Sequence, residues 1–516
     1  MTTITSLTRT STPATAGSIA APGLSTPATS NAGGASNDAS TIVALGGGAS
    51  SAGQTPALMW ENRNHSTVAS LMAQNIGNQP LSGRFQGLGA DMLRQVAYDD
   101  TDLSQTVQLA PSGVQQSNTY DMLVSPTQAN MHGMGDNQVS LTVTTRSGTK
   151  VELSLDATDN GIAVAIHSSD KLTGAEQKAL GKLADAFQHS IDALTEDPPR
   201  VDLTGLTQFD TSTLSAVDLK AKIKQSGDGV QQLDFHADSK SRSVNLNGPA
   251  GTAQVNVDLS QPASWGDKAQ QAKALNNYLQ QVDQEGQRGH ANADMLKMFK
   301  DAFTDMNSDY GTPPAAAPSS IYLTDQDKAM TTGLADFSAS VTQTEVSSNP
   351  RRMTEKDTFS YDLSQKTSIA GSVQMDRSIS QQQQSHLKAN YHEALTPNSP
   401  LKLDLRPESQ NYKYVTINDS ASSTTNIAYD QGALAKATLE MTASRSIRVL
   451  SYSLAKLQSD KTTPSMQSSS RDLRDTLDPR HANQGTPDMN AWQRQQMLTS
   501  VNNRIFLQSD PSQIVP

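Results

Sequence analysis

"VSLTVTTRSGTKVELSLD", Val139 to Asp156, alternates apolar and polar residues on both sides of a short turn. Successive side chains of a strand point to opposite faces, so Val139, Leu141 and Val143 share one face. Val151, Leu153 and Leu155 do the same on the next run, and "RSG" between them is a hairpin signal. Ile162, Val164 and Ile166 form a third set after "TDNG". The period then changes from two to that of a helix. Thr173 and Glu176 have capping-box spacing, and Leu180, Leu183, Phe187, Ile191 and Leu194 fall on one stripe, which "DPP" at Asp197–Pro199 ends. The stretch predicts three antiparallel strands under one helix.

A similar order recurs about ninety residues later. Leu233, Phe235 and Ala237 alternate, as do Val244 and Leu246, and Val255, Val257 and Leu259 follow the turn "NGPAG". Helical stripes come next, through Leu275, Tyr278, Leu279 and Val282 and through Leu296, Phe299, Phe303 and Met306. The two copies, 137–196 and 228–285, predict either one six-stranded sheet or two small sheets. "YGTPPAAAPSS", Tyr310 to Ser320, reads as a Pro/Ala linker. Beyond it, segments such as "DFSASVTQTEV" and "YKYVTIND" alternate with Ser and Thr on one face, and "SQQQQSH", Ser380 to His386, reads as a low-complexity joint.

The fold class expected is therefore α+β: two βββα units, each an antiparallel sheet covered by helices, followed by a β-rich C-terminal domain, with a disordered N-terminal leader and a C-terminal tail. The divisions are a Ser/Thr/Ala/Gly-rich leader over 1–56, short helices and loops over 57–136, the duplicated domain over 137–309, the linker over 310–320, the Ser/Thr-rich β domain over 321–460 and a polar tail over 461–516. Within 57–136, Val68, Leu71, Met72 and Ile76 have helical spacing, and "GADMLRQVAY" reads as a second short helix. A further short helix is expected around Trp492–Val501 in the tail.

Of the 516 residues, 35% are apolar and 4% aromatic, which predicts several modest cores rather than one large one. The net charge of −11 argues against general affinity for nucleic-acid phosphates or anionic membrane surfaces, so no nucleic-acid partner is expected and membrane contact, though possible, has no support in the sequence. The absence of cysteine excludes disulfides, thiolate metal sites and a cysteine nucleophile. It fits an intracellular chain, and equally one exported unfolded or through an oxidising compartment. Residues 1–56 carry only Arg9 and Asp38 as charged side chains, too little apolar surface to offset the entropy of ordering. That composition, over about a tenth of the chain, resembles the uncleaved leaders of bacterial type III export substrates, with no motif behind the resemblance; a plain flexible tail is the alternative reading and the one preferred for the segment itself. No run of apolar residues is long enough for a transmembrane helix.

Chemistry leaves few marks. No phosphate loop, nucleophile elbow or zinc helix is present; "YHEALT" holds His392 and Glu393 but lacks the second histidine. Asp234, His236 and Asp238 lie at i, i+2 and i+4, hence on one strand face, where three such groups suit a divalent cation or proton transfer. Alternation alone predicts a solvated polar face there, and this is the reading preferred. Arg351 and Arg352 in "NPRRMTEK" are expected at a hairpin tip. No catalytic, cofactor-binding or metal residue is assigned and no cofactor expected.

The function expected is a non-enzymatic exported or surface-associated bacterial interaction protein, of the type III-like export substrate or effector kind, with a protein partner. Its expected location is secreted or cell-surface, with the cytoplasm as the alternative. Two other readings stand beside it: a β-structured membrane-active protein, whose Ser/Thr-lined hairpins suit a water-lined barrel, and an enzyme with a dispersed site.

Overall fold

The computed structural model describes residues 58–61, 66–79, 81–99, 102–110, 131–225, 229–311, 321–397, 399–478 and 491–515. The leader expected over 1–56 lies outside these residues, as does most of the Pro/Ala linker. Fifteen strands are present among them: β1 (Leu58–Trp60), β2 (Leu103–Leu109), β3 (Asn137–Thr145), β4 (Lys150–Thr158), β5 (Gly161–Ser168), β6 (Leu214–Lys224), β7 (Val230–Asp238), β8 (Ser241–Gly248), β9 (Gly251–Asp258), β10 (Asp336–Gln343), β11 (Thr358–Ala370), β12 (Ser378–Ala394), β13 (Tyr412–Asp430), β14 (Ala433–Ser453) and β15 (Lys456–Asp472). All pair antiparallel in one sheet, in the order β1-β2-β5-β4-β3-β6 and then consecutively from β7 to β15.

The stretch that opened the sequence is the β3–β4 hairpin, with Val139 opposite Leu155, Leu141 opposite Leu153 and Val143 opposite Val151. All six are buried. Helices cover this face: α1 (Thr67–Asn75), α2 (Leu88–Asp99), α3 (Gly174–Lys182) and α4 (Ala184–Thr195). The expected single helix is broken at Leu183, which joins α3 to α4. Its stripe survives the break: Leu180, Leu183, Phe187, Ile191 and Leu194 are all buried, each stabilising by roughly 1.5–3 kcal/mol. The capping box forms, with Glu176 N donating to Thr173 Oγ1 (3.3 Å) and Thr173 N to Glu176 Oε2 (2.8 Å). Ser147 in the β3–β4 turn also donates to Glu176 (2.6 Å), and this bond, ahead of those from Thr173, brings the carboxyl down to about 2.

The second set of strands, β7 to β9, lies in the same sheet as the first, which excludes two separate small sheets. The sequence reading missed β6, which pairs with β3 on one side and β7 on the other and so fuses the two sets. Gly251 opens β9 at φ 143°, a region L side chains avoid, and a Cβ there would meet the Thr342 carbonyl of β10 at 2.1 Å. Helices α5 (Lys268–Arg288) and α6 (Ala293–Asn307) follow, with Tyr278, Val282, Phe299, Phe303 and Met306 buried.

Three expectations are corrected beyond this point. The sheet is continuous across the Pro/Ala segment, because β9 pairs with β10 from Asp258↔Asp336 to Gly251↔Gln343. The buried apolar residues form one connected layer running from Val68 to Ile514, in place of several cores. The polar tail begins inside β15, and it later folds into helix α7 (Ala491–Arg504), which contains the short helix expected at Trp492–Val501. In the 57–136 region both helices form, together with β1 and β2.

"SQQQQSH" is no joint. It occupies the middle of β12 and alternates like any strand: Gln381 and Gln383 are buried while Gln382 and Gln384 face water. The inward amides hold segments that have no strand or helix of their own. Gln383 donates to Ile505 O (2.9 Å) and accepts from Leu507 N (3.0 Å), and Gln381 accepts from Thr332 N (2.8 Å). Ser423 and Thr425 on β13 add bonds to Ile505 O (2.6 Å) and Met330 O (2.7 Å). A covering layer of irregular chain needs partners for its backbone, and a polar inner face supplies them.

Candidate functional site

Burying one face under helices and coil leaves the other face of the sheet open. Register decides what lines it. One row of directly paired residues begins at His167 on β5 and passes through Glu152, Thr142, Asp218 and His236 to Ser243 on β8. It continues through Asn256, Ser338, Ser364, Gln384, Ser422 and Thr442 to Ser468 on β15. Every member is polar, and every one after His236 is an uncharged hydroxyl or amide. Neighbouring strands stand ~4.8 Å apart, so the row is a ladder of groups that both donate and accept.

Sheet twist hollows this face into two shallow troughs. One, of about 460 Å³, lies over β3 to β8 and is lined by Lys220, Lys222, Asp234 and Asn245 among others. The second, of about 550 Å³, spans β9 to β14 and is almost free of charge, with Asp362 and His386 opposite each other at its centre. His386 Nε2 lies 2.9 Å from the Asn418 side-chain oxygen.

The three residues singled out on β7 do sit on this open face, but they do not converge. His236 Nδ1 meets Asp218 of β6 at 2.7 Å, and its Nε2 stands 3.5 Å from Asp238. Burial works against the charged imidazole, yet the bonds to Asp218 and Asp238 outweigh it and raise its pKa. Asp234 instead faces Lys220 and Asn245 in register. Among the described residues no group of three histidine or carboxylate side chains is arranged to hold a metal ion. Asp218, the true partner, was invisible in the sequence because its strand was not foreseen.

A second cluster went unread because its members come from four separate stretches of chain. His392 on β12 is sealed from solvent, its side chain 1% exposed, with Nδ1 2.6 Å from Asp357 and Nε2 3.5 Å from Glu355. Tyr412 donates to Glu355 (2.6 Å), and the Tyr412 and Tyr414 rings flank the imidazole at 5.1 and 4.9 Å. Arg352 lies 4.3 Å over the Tyr452 ring, 3.9 Å from Glu355, and donates to Ala455 O (3.2 Å). Burial again opposes ionisation, but the bonds to Asp357 and Glu355 prevail: His392 is raised, and both carboxyls are lowered. "NPRRMTEK" therefore forms a loop folded back onto the sheet end, with Arg352 half-buried. A histidine so enclosed fastens the loops around it.

No protein-family model matches this chain, and neither a curated protein nor a solved structure does. No helix among the described residues is long and apolar enough to cross a membrane, which leaves strands out of account.

Proposed function

We propose that the chain is a non-enzymatic interaction protein, exported or displayed at a cell surface, which meets a protein partner through its open sheet face. The observation that carries this reading is the unbroken polar row from His167 to Ser468, uncovered along its length while the opposite face is buried from β5 to β14. Small hydroxyls and amides admit close approach of another polar surface and accept bridging water at little cost. Export is supported by the absence of cysteine and by the leader's composition. We read β3–β5 with α3 and α4, and β7–β9 with α5, as two copies of one βββα unit whose role is to hold the face rigid.

The test is a triple substitution, Ser338→Arg, Ser364→Arg and Ser422→Arg, placed along the row. Cross-linked partners from the envelope and medium fractions are compared between this variant, the native chain and Lys297→Glu, an exposed change on helix α6. A partner retained by Lys297→Glu and lost by the triple variant is the expected result. Equal recovery by all three removes the open face from the function, and confinement of the native protein to the cytosol removes export.

A further inference from the structure

Because successive strands alternate in direction, the β10–β11 and β12–β13 connections and the β14–β15 turn lie at one end of the sheet. They are tied into a single base. Arg351 Nη1 donates to Leu405 O (2.7 Å), Ala455 N donates to Gln410 O (3.2 Å), and the Asn349 and Gln410 amides exchange two bonds of 2.9 and 3.1 Å. Six apolar side chains stand exposed on this base: Val346, Met353, Leu395, Leu405, Leu454 and Leu457. They are six of fourteen large apolar side chains exposed among the described residues, so exposure is concentrated here.

The β14–β15 turn gives the second observation. Its two central residues, Leu454 and Ala455, have φ of 48° and 64°, the left-handed region where Asn-Gly is unstrained and leucine is not. A strained leucine that is also 55% exposed contributes nothing to its own turn. The charge around it is the third. The exposed cations Arg351, Lys356, Lys402, Arg406 and Lys456 outnumber the exposed carboxylates Glu345 and Glu408 on these connections, in a chain whose net charge is −11. Lys356 pairs with Glu345 (2.6 Å) and Arg406 with half-buried Asp404 (2.6 Å), which leaves Arg351, Lys402 and Lys456 outside those pairs.

We propose that this end of the sheet docks on an anionic lipid surface, with Met353, Leu405 and Leu454 entering the headgroup boundary and the flanking cations meeting lipid phosphates. Apolar side chains projecting from separate loops, with cations beside them, suit a deformable apolar phase better than a shaped protein pocket. This surface is distinct from the open face and stands or falls separately.

The absence of native cysteine makes the test direct. A single Leu405→Cys carries an environment-sensitive dye, and a single Met375→Cys, exposed in the β11–β12 connection at the opposite end, serves as control. With phosphatidylcholine–phosphatidylserine vesicles the dye at 405 should shift to the blue, the dye at 375 should not, and added salt should weaken the effect. Adding Leu454→Asn and Met353→Asp should weaken partitioning at least about tenfold. Leu454→Asn alone should raise the melting temperature while weakening binding, whereas a purely structural leucine would show no binding effect. No shift at 405, equal shifts at both sites, or partitioning untouched by the substitutions would overturn the proposal.

Discussion

His392 shows how a single side chain can give the fold a pH dependence. Its pKa is raised, so the stability it contributes is complete below the unfolded value of about 6.5 and is lost as pH rises through the folded one. Glu355 and Asp357 are lowered, so their share is present above about pH 4 and lost as pH falls through their folded values. His392→Gln should therefore cost about 3 kcal/mol near pH 6, and the gap from the native chain should narrow toward pH 9, read from denaturant midpoints across pH. Gln383 works by direct bonding. Gln383→Met keeps the volume but strands Leu507 N, while Ile505 O keeps its bond from Ser423 and the Tyr278 hydroxyl its bond to Gln365, so a loss of about 1–3 kcal/mol is expected. Hydrogen exchange should quicken first at residues 505–509.

At the scale of elements, the C-terminal segment is fastened to helix and sheet by charge. Arg445 on β14 reaches Glu285 of α5 (3.1 Å) and Asp510 (2.8 Å), while Arg288 pairs with Asp419 of β13. Burial pushes the Glu285 carboxyl up, against bonds from Ser509 and Arg445 that hold it ionised. Arg445→Met leaves Glu285 and Asp419 buried beside one cation fewer, and should destabilise by roughly 3–5 kcal/mol in chemical denaturation. Strand β15 poses the opposite problem, being a long edge with both faces mostly exposed. Pro464 lacks a backbone donor, and the strand carries charged side chains of both signs, Lys456, Asp460, Lys461, Arg471 and Asp472, features that discourage another chain from adding a strand.

For the whole molecule, the continuous ladder makes a mechanical prediction. A protease site inserted within Pro313–Ala317 and then cleaved should leave the two fragments eluting together, held by the β9–β10 pairing and the shared buried layer. They should separate only in denaturant, in one transition common to both. Two independent transitions would mean that the Pro/Ala segment divides two domains after all.

Much of this was legible in advance. Alternation placed β3, β4, β5, β7, β8 and β9, and helical spacing placed the stripe from Leu180 to Leu194, because burial of one face imposes a period on the chain wherever the buried residues are apolar. It failed at "SQQQQSH", where the buried residues are glutamines and hydrophobicity carries no period. The polar face was foreseen for Asp234, His236 and Asp238, but their partners were not. Local sequence by itself determined β3–β5, β7–β9, the helical stripes and which side of those strands is polar, since these follow from neighbours a few residues apart. Only the tertiary structure decided that all strands join one sheet, that Asp218 meets His236, and that Glu355 and Asp357 close on His392. Those outcomes depend on register between segments distant in the chain, which pairing and burial select together and no local pattern encodes.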